Sequence, residues 1–141
     1  MLEKIPKSIS PDLIKLMMEM GHGDELVLAD ANFPSSTLAN RLVRADGIEI
    51  SVLLRDILEL FPLDSYSEHQ VMLMEVVPGD DYKPVIQDEY KKILDASGRD
   101  YNIDYLERFA FYDRAEKAFA IVATGEEALY ANIIIKKGVV K

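Results

Sequence analysis

The chain has 141 residues, of which 49% are hydrophobic and 29% charged, a balance that suits one ordinary core and excludes intrinsic disorder. Its 25 acidic against 16 basic residues give a net charge of −9, which argues against a phosphate-binding surface for nucleic acid and against an anionic membrane partner. Cysteine is absent, so disulfides, thiolate zinc sites and cysteine nucleophiles are excluded.

The N-terminal stretch MLEKIPKSIS has neither a long apolar core nor a small-residue cleavage site, so it does not read as a signal peptide. No apolar run approaches the roughly 20 residues that cross a bilayer. The expectation is a cytoplasmic protein with a single domain over 1–141.

SPDLIKLMMEMGHG predicts the first helix. Ser10 can cap it, Pro11 suits its first position, and Asp12 favours the positive end of the helix dipole. Leu13, Ile14, Met17 and Met20 recur at helical spacing, and Gly21 or Gly23 can end the helix in the left-handed conformation. ELVLAD is short and continuously apolar, so it reads as a buried strand ending at Asp30. NRLVRADG predicts a short strand and a turn. ISVLLRDILELFP predicts an amphipathic helix stopped by Pro62, and QVMLMEVVPG another buried strand.

KPVIQDEYKKILDASG predicts a helix with Pro84 near its start and Gly98 after its end. IDYLER fits a strand and FAFYDRAEKA a short helix. AFAIVAT and ANIIIKKG are strands rich in branched residues, with Gly125 and Glu126 in the turn between them. Alternating helices and strands followed by two close strands predict an α/β fold with a mixed sheet.

His22 is one of two histidines and lies between two glycines. An imidazole titrates near neutral pH and can give or take a proton. A plainer role is a solvated cation at a helix C-terminus. Asp30 ends a buried strand, where ligands gather in open α/β sheets; an Asx turn into ANFP is the plainer role. Tyr130 and Asn132 precede the last strand and, with exposed backbone amides, suit hydroxyl recognition, or else packing for the tyrosine and turn formation for the asparagine. Arg108 stands in the apolar run RFAFY, free to snorkel, to pair with an acid or to bind a ligand oxygen. No Gly-rich phosphate loop, nucleophile elbow or metal-ligand spacing is present.

Several segments together carry a family resemblance: SPDLIKLMMEMGHGDELVLADANFP, VRADG, LDSY, RFAFYDRAEKAFAIVATGE and YANIIIKKGV. From about residue 5 to residue 140 the chain resembles the L-fucose mutarotase family, which is related to D-ribose pyranase. The resemblance implies a three-layer α/β/α fold and an isomerase that interconverts the cyclic forms of an aldose without a cofactor. It implies a monosaccharide substrate and a homo-oligomer, a ring-shaped decamer in bacterial members, with sites completed across subunits.

By position His22 matches the family's proton donor. Asp30, Arg108, Tyr130, Ala131 and Asn132 match its sugar-binding residues, Ala131 through its backbone alone. RFAFY matches the fucose branch, where the ribose branch carries histidine at the arginine position. FPSST lacks a histidine that some fucose members carry after the proline, and YAN matches the ribose branch. The expected activity is α/β anomer exchange on L-fucose. The alternatives are pyranose/furanose exchange on ribose and a non-catalytic sugar-binding subunit. His22 is expected to serve as general acid and Asp30 to orient it or grip hydroxyls, with the strand between them delivering both to one mouth.

Overall fold

A computed structural model describes residues 1–141. In chain order the elements are α1 (Pro11–Glu19), β1 (Glu25–Ala29), α2 (Ser35–Leu38), β2 (Leu42–Ala45), α3 (Ile50–Leu58), β3 (Val71–Met74), α4 (Val85–Ala96), β4 (Ile103–Leu106), α5 (Arg108–Lys117), β5 (Ala120–Thr124) and β6 (Ile133–Lys136). The strands form one six-stranded sheet in the order β2-β5-β1-β6-β3-β4. Only β6 runs against its neighbours; β1, β2 and β5 are mutually parallel, as are β3 and β4.

The sheet is the middle of three layers, as expected. On one face Leu26, Leu28, Val122, Ile133 and Ile135 pack against apolar residues of α1, α3 and α4. On the other, Val27, Ala29, Met72, Ile121 and Ile134 meet Phe33 and Phe111 of the α2–α5 side. Alternate residues of each strand point to opposite faces. Continuously apolar strands such as LVLA are therefore what a sheet covered on both sides requires. Leu26, Val27 and Leu28 have no exposed surface, and burial of each stabilises the fold by roughly 1.5–3 kcal/mol.

The helix signals mostly hold. Ser10 caps α1 by accepting from the Leu13 N–H at 3.1 Å. Gly98 follows α4 with a positive φ of 72°. Four local differences have clear causes. Helix α1 ends at Met20 in an extended conformation, so neither glycine caps it; Gly23 instead takes φ 85° in the following turn. Helix α3 stops at Leu58, before Pro62 can act. Helix α5 begins at Arg108 because the Glu107 carboxylate accepts from the N–H groups of Phe109 and Ala110. The segment SSTL forms the one-turn helix α2, which its polar composition did not signal. No helix is long and apolar enough to cross a membrane.

Candidate functional site

The sequence-predicted residues lie at both ends of the sheet. Asp30 follows the carboxyl end of β1. Because β6 is antiparallel to β1 and pairs Ile133 with Leu28, the residues just before β6 come to the same end. The Asp30 N–H donates to Asn132 Oδ1 at 2.7 Å, joining residues far apart in sequence. Asn132 is buried, and its side chain also bonds the Asp30 carboxyl. The Asp30 carboxylate accepts from the Asn32 N–H at 2.9 Å, which is the Asx turn that ANFP suggests.

Burial pushes the Asp30 carboxyl above the usual carboxylate range; bonds from Asn32, Phe33 and Asn132 oppose this, and the Glu126 charge adds to it. A polar cavity of about 330 Å³ opens beside Asp30, lined also by Ser35, Ser36 and Thr37 of α2, by Arg44 and Asp46 of the β2 end, and by Thr124. The Ser35 hydroxyl is buried without a partner.

Tyr130 has φ 58°, unusual for an aromatic residue and costing of order 1–3 kcal/mol. Two side chains of α4 hold it there. Gln87 Nε2 donates to the carbonyls of Met74 and Tyr130, and the Tyr90 hydroxyl donates to the Ala131 carbonyl at 2.7 Å. Burial pushes the Tyr90 phenol up, so it remains a neutral donor. The Tyr130 hydroxyl donates to Asp80 at 2.9 Å and its ring stacks on Tyr82. Its hydroxyl is thus engaged by the loop after β3.

Arg108 starts α5 at the carboxyl end of β4 and is exposed. Its Nε donates weakly to the Tyr112 hydroxyl at 3.4 Å, and its guanidinium lies 5.3 Å from the Tyr112 ring centre. Tyr112 in turn meets Phe33 edge-on at 5.2 Å. Asp30, Tyr130, Ala131, Asn132 and Arg108 therefore all sit at the end of the sheet where the parallel strands finish, the position in which open α/β sheets hold ligands.

His22 does not. It lies before β1, and the five residues of that strand, roughly 16 Å of extended chain, separate it from Asp30. The expectation that the strand delivers both residues to one mouth fails within a single chain, because the strand runs straight between them. Asp30 also does not orient His22. The carboxylate that meets the imidazole is Asp64, whose Oδ1 lies 2.8 Å from His22 Nε2.

Asp64 accepts from the N–H groups of Tyr66 and Ser67 at 3.2 and 2.9 Å. Burial opposes its ionisation, but the bonds from Ser67, His22 and Tyr66 outweigh that and hold the carboxyl well below the usual range. The Tyr66 ring stands 5.1 Å from the imidazole.

Sequence reasoning missed Asp64, Gln87, Tyr90 and Glu126. The Glu126 carboxylate is buried and accepts from the N–H groups of Ile50, Glu127 and Ala128, tying the β5–β6 loop to the start of α3. A signal existed for Asp64, since an aspartate outside a helix or strand, as in LDSY, can accept from the backbone N–H two residues on, as an Asx turn does. None existed for Gln87 or Tyr90, which read as ordinary helix residues. No group of three or more His, Cys, Asp or Glu side chains is arranged to hold a metal ion. A surface cavity of about 880 Å³ lies under the N-terminal segment between Lys4 and Glu59 and is lined by none of the sequence-predicted site residues.

The whole chain is similar to several known proteins. A fucose mutarotase of Danio rerio is 52% identical, with 99% of this chain and 94% of that protein aligned. An L-fucose mutarotase of Histophilus somni is 51% identical over 99% of this chain and 97% of its own. The crystal structure of the fucose mutarotase in complex with L-fucose from Streptococcus pneumoniae superposes with a TM-score of 0.95 at 57% identity, covering 99% of this chain and all (100%) of that one. The model of the RbsD / FucU transport protein family matches residues 3–140, and the chain belongs to that family.

Proposed function

We propose that the protein is an aldose mutarotase, an isomerase that exchanges the α and β anomers of L-fucose, with the whole chain acting as one unit. The observation that carries this reading is the Asp30–Asn132 pairing at the mouth formed by the strand ends. It presents a carboxylate and an amide side by side, beside a polar cavity. That pair matches adjacent hydroxyls of a pyranose, where a carboxylate accepts and an amide donates. The half-identical fucose mutarotases and the L-fucose-bound relative favour fucose over other aldoses.

Mutarotation breaks the C1–O5 bond of the ring and reforms it on the other face of C1. One group gives a proton to O5 as another takes the proton of the anomeric hydroxyl; closure reverses both transfers, so no proton is gained or lost. In this proposal His22 gives the proton to O5. Asp30, made more basic by its burial, grips the hydroxyls and takes the anomeric proton. Arg108, Tyr130 and Asn132 hold the sugar, and the Ala131 backbone shapes the floor beneath it.

Since His22 and Asp30 occupy opposite ends of one sheet, the site is completed by association, with the His22 end of one subunit meeting the Asp30 mouth of another. A homo-oligomer, the decamer of the family resemblance, follows from that arrangement.

Saturation-difference proton NMR on L-fucose tests the activity, with D-ribose, L-rhamnose and D-galactose for comparison. Saturation applied to one anomer is expected to reach the other faster than in buffer, most strongly for L-fucose. Replacement of His22 by alanine is expected to slow the exchange by about 10²- to 10⁴-fold. Exchange no faster than buffer for every sugar, with signals that merely broaden, would establish a sugar-binding subunit instead.

A further inference from the structure

We propose that Asp64 is the positioning residue of the His22 imidazole, fixing its tautomer so that Nδ1 is the nitrogen offered to substrate. The proposal rests on the mutarotase reading and adds a residue to it.

The geometry begins with two turns that are remote in sequence. The turn carrying His22 lies between α1 and β1, and the turn carrying Asp64 follows α3. Both are tied to the end of β6. The Gly23 N–H donates to the Lys137 carbonyl, and the Lys137 N–H donates to the Asp24 carbonyl, each at 2.8 Å. On the other side the Asp64 N–H donates to the Lys136 carbonyl at 3.0 Å, and the Gly138 N–H donates to the Pro62 carbonyl at 2.7 Å. A Cβ on Gly138 would lie 2.5 Å from the Leu63 carbonyl oxygen, so only glycine lets the two backbones approach this closely. The separation of His22 and Asp64 is therefore set by backbone bonds to a shared strand rather than by the reach of two side chains.

The electrostatics give the contact a direction. The Asp64 side chain is only 2% exposed, whereas that of His22 is 44% exposed. An ionised carboxylate only accepts hydrogen bonds. Two backbone N–H groups already hold Asp64 in that state. The imidazole must then donate through Nε2–H, and in the neutral ring the lone pair is left on Nδ1. The Tyr66 ring at 5.1 Å restricts rotation of the imidazole about that bond.

A ring anchored through Nε2 can take a proton from solvent on Nδ1, pass it to the sugar ring oxygen on opening and recover it on closure, with the anionic Asp64 stabilising the imidazolium before and after. This is the division of labour between an orienting carboxylate and an acid–base histidine that general acid–base sites share. Asp64 does not touch the sugar in this scheme.

The test is nitrogen-15 NMR of the histidine rings in the full-length protein, with the His22→Ala variant identifying the His22 signals. The neutral ring is expected to carry its proton on Nε2 in the wild type. In Asp64→Asn, which retains an acceptor for the turn, the ring is expected to populate the Nδ1–H form. The maximal fucose exchange rate is expected to fall by roughly 10- to 100-fold with little change in KM. Asp64→Glu is expected to recover part of that rate.

A wild-type ring protonated on Nδ1 would overturn the proposal, even if Asp64→Asn fails to fold. An unchanged tautomer and exchange rate in a folded Asp64→Asn protein would overturn it as well. If the wild type exchanges no sugar, the mutarotase reading fails. The ring tautomer then still decides whether Asp64 positions His22.

Discussion

The two ends of the sheet hold one acid each, and the two acids respond to burial in opposite ways. Asp30, at the carboxyl end, is pushed above the usual carboxylate range, with burial the largest cause. Asp64, at the amino end, is the more deeply enclosed, yet it is held below that range. The difference lies in the donors. The bonds to Asp64 from two N–H groups and an imidazole outweigh burial, whereas those to Asp30 from Asn32, Phe33 and Asn132 fall short of it, and the nearby Glu126 charge adds to the rise. Burial removes water from a carboxylate; the donors that replace the water decide the sign of the shift. One end is thereby built to keep a permanent anion beside an imidazole. At the other, the carboxyl holds a proton more readily than an ordinary carboxyl does.

The comparison can be broken most severely by separating the ends genetically. A chain carrying His22→Ala and a chain carrying Asp30→Asn should each be nearly inactive alone. If the site joins the two ends across subunits, coexpressed chains should regain exchange far above either variant, read by the same saturation-difference measurement. No recovery in a mixed oligomer would place both residues in one chain's site, which the straight path of β1 opposes.

A smaller effect concerns stability at the amino end. Replacement of Asp64 by alanine strands the Tyr66 and Ser67 N–H groups and should lower stability by about 3 kcal/mol, measured by denaturant unfolding at neutral pH. The sign with pH follows from linkage. A folded-state value below the unfolded one gives stability that is fully present above the ordinary carboxylate range and is lost as pH falls through the folded value. The variant's unfolding midpoint should therefore decline less steeply on acidification than that of the wild type.

The smallest effect should come from the carboxyl end, with the opposite sign. The Asp30 value is raised on folding, so its contribution is present below the unfolded value and is lost as pH rises through the folded one. Asp30→Asn should unfold at a slightly higher denaturant concentration than the wild type at neutral pH, and this advantage should vanish in acid. Its fucose exchange should nonetheless fall by about 10²- to 10⁴-fold, the loss expected for a general base. A variant that is both less stable and fully active would remove Asp30 from the mouth.

Much of the fold could be read locally. The run LVLA predicts a strand covered on both sides, and the clusters on the two faces of β1 meet that requirement. Capping by Ser10 and the glycine after α4 mark helix ends because their effects act within a turn. Helix α2 escaped detection because SSTL has no apolar periodicity; its Ser35 is buried by neighbours that the local pattern does not reveal.

The site was legible in part. Asp30, Arg108 and the Tyr130–Asn132 stretch came from strand-end positions and family resemblance, and they do share one end of the sheet. Gln87 and Tyr90 were hidden because their partners are backbone carbonyls of remote residues. A contact across that span leaves no trace in spacing or composition.

By itself the sequence determined which segments are strands, which histidine lies open between glycines, and which polar residues stand at strand ends, since all of these follow from local periodicity and backbone preference. Only the tertiary structure decided that His22 and Asp30 face opposite ways and that Asp64 is the acid beside the imidazole. The reason is topological. Strand order and the reversed direction of β6 determine which strand ends become neighbours, and hydrogen bonding between strands, not the pattern within any one of them, sets that order.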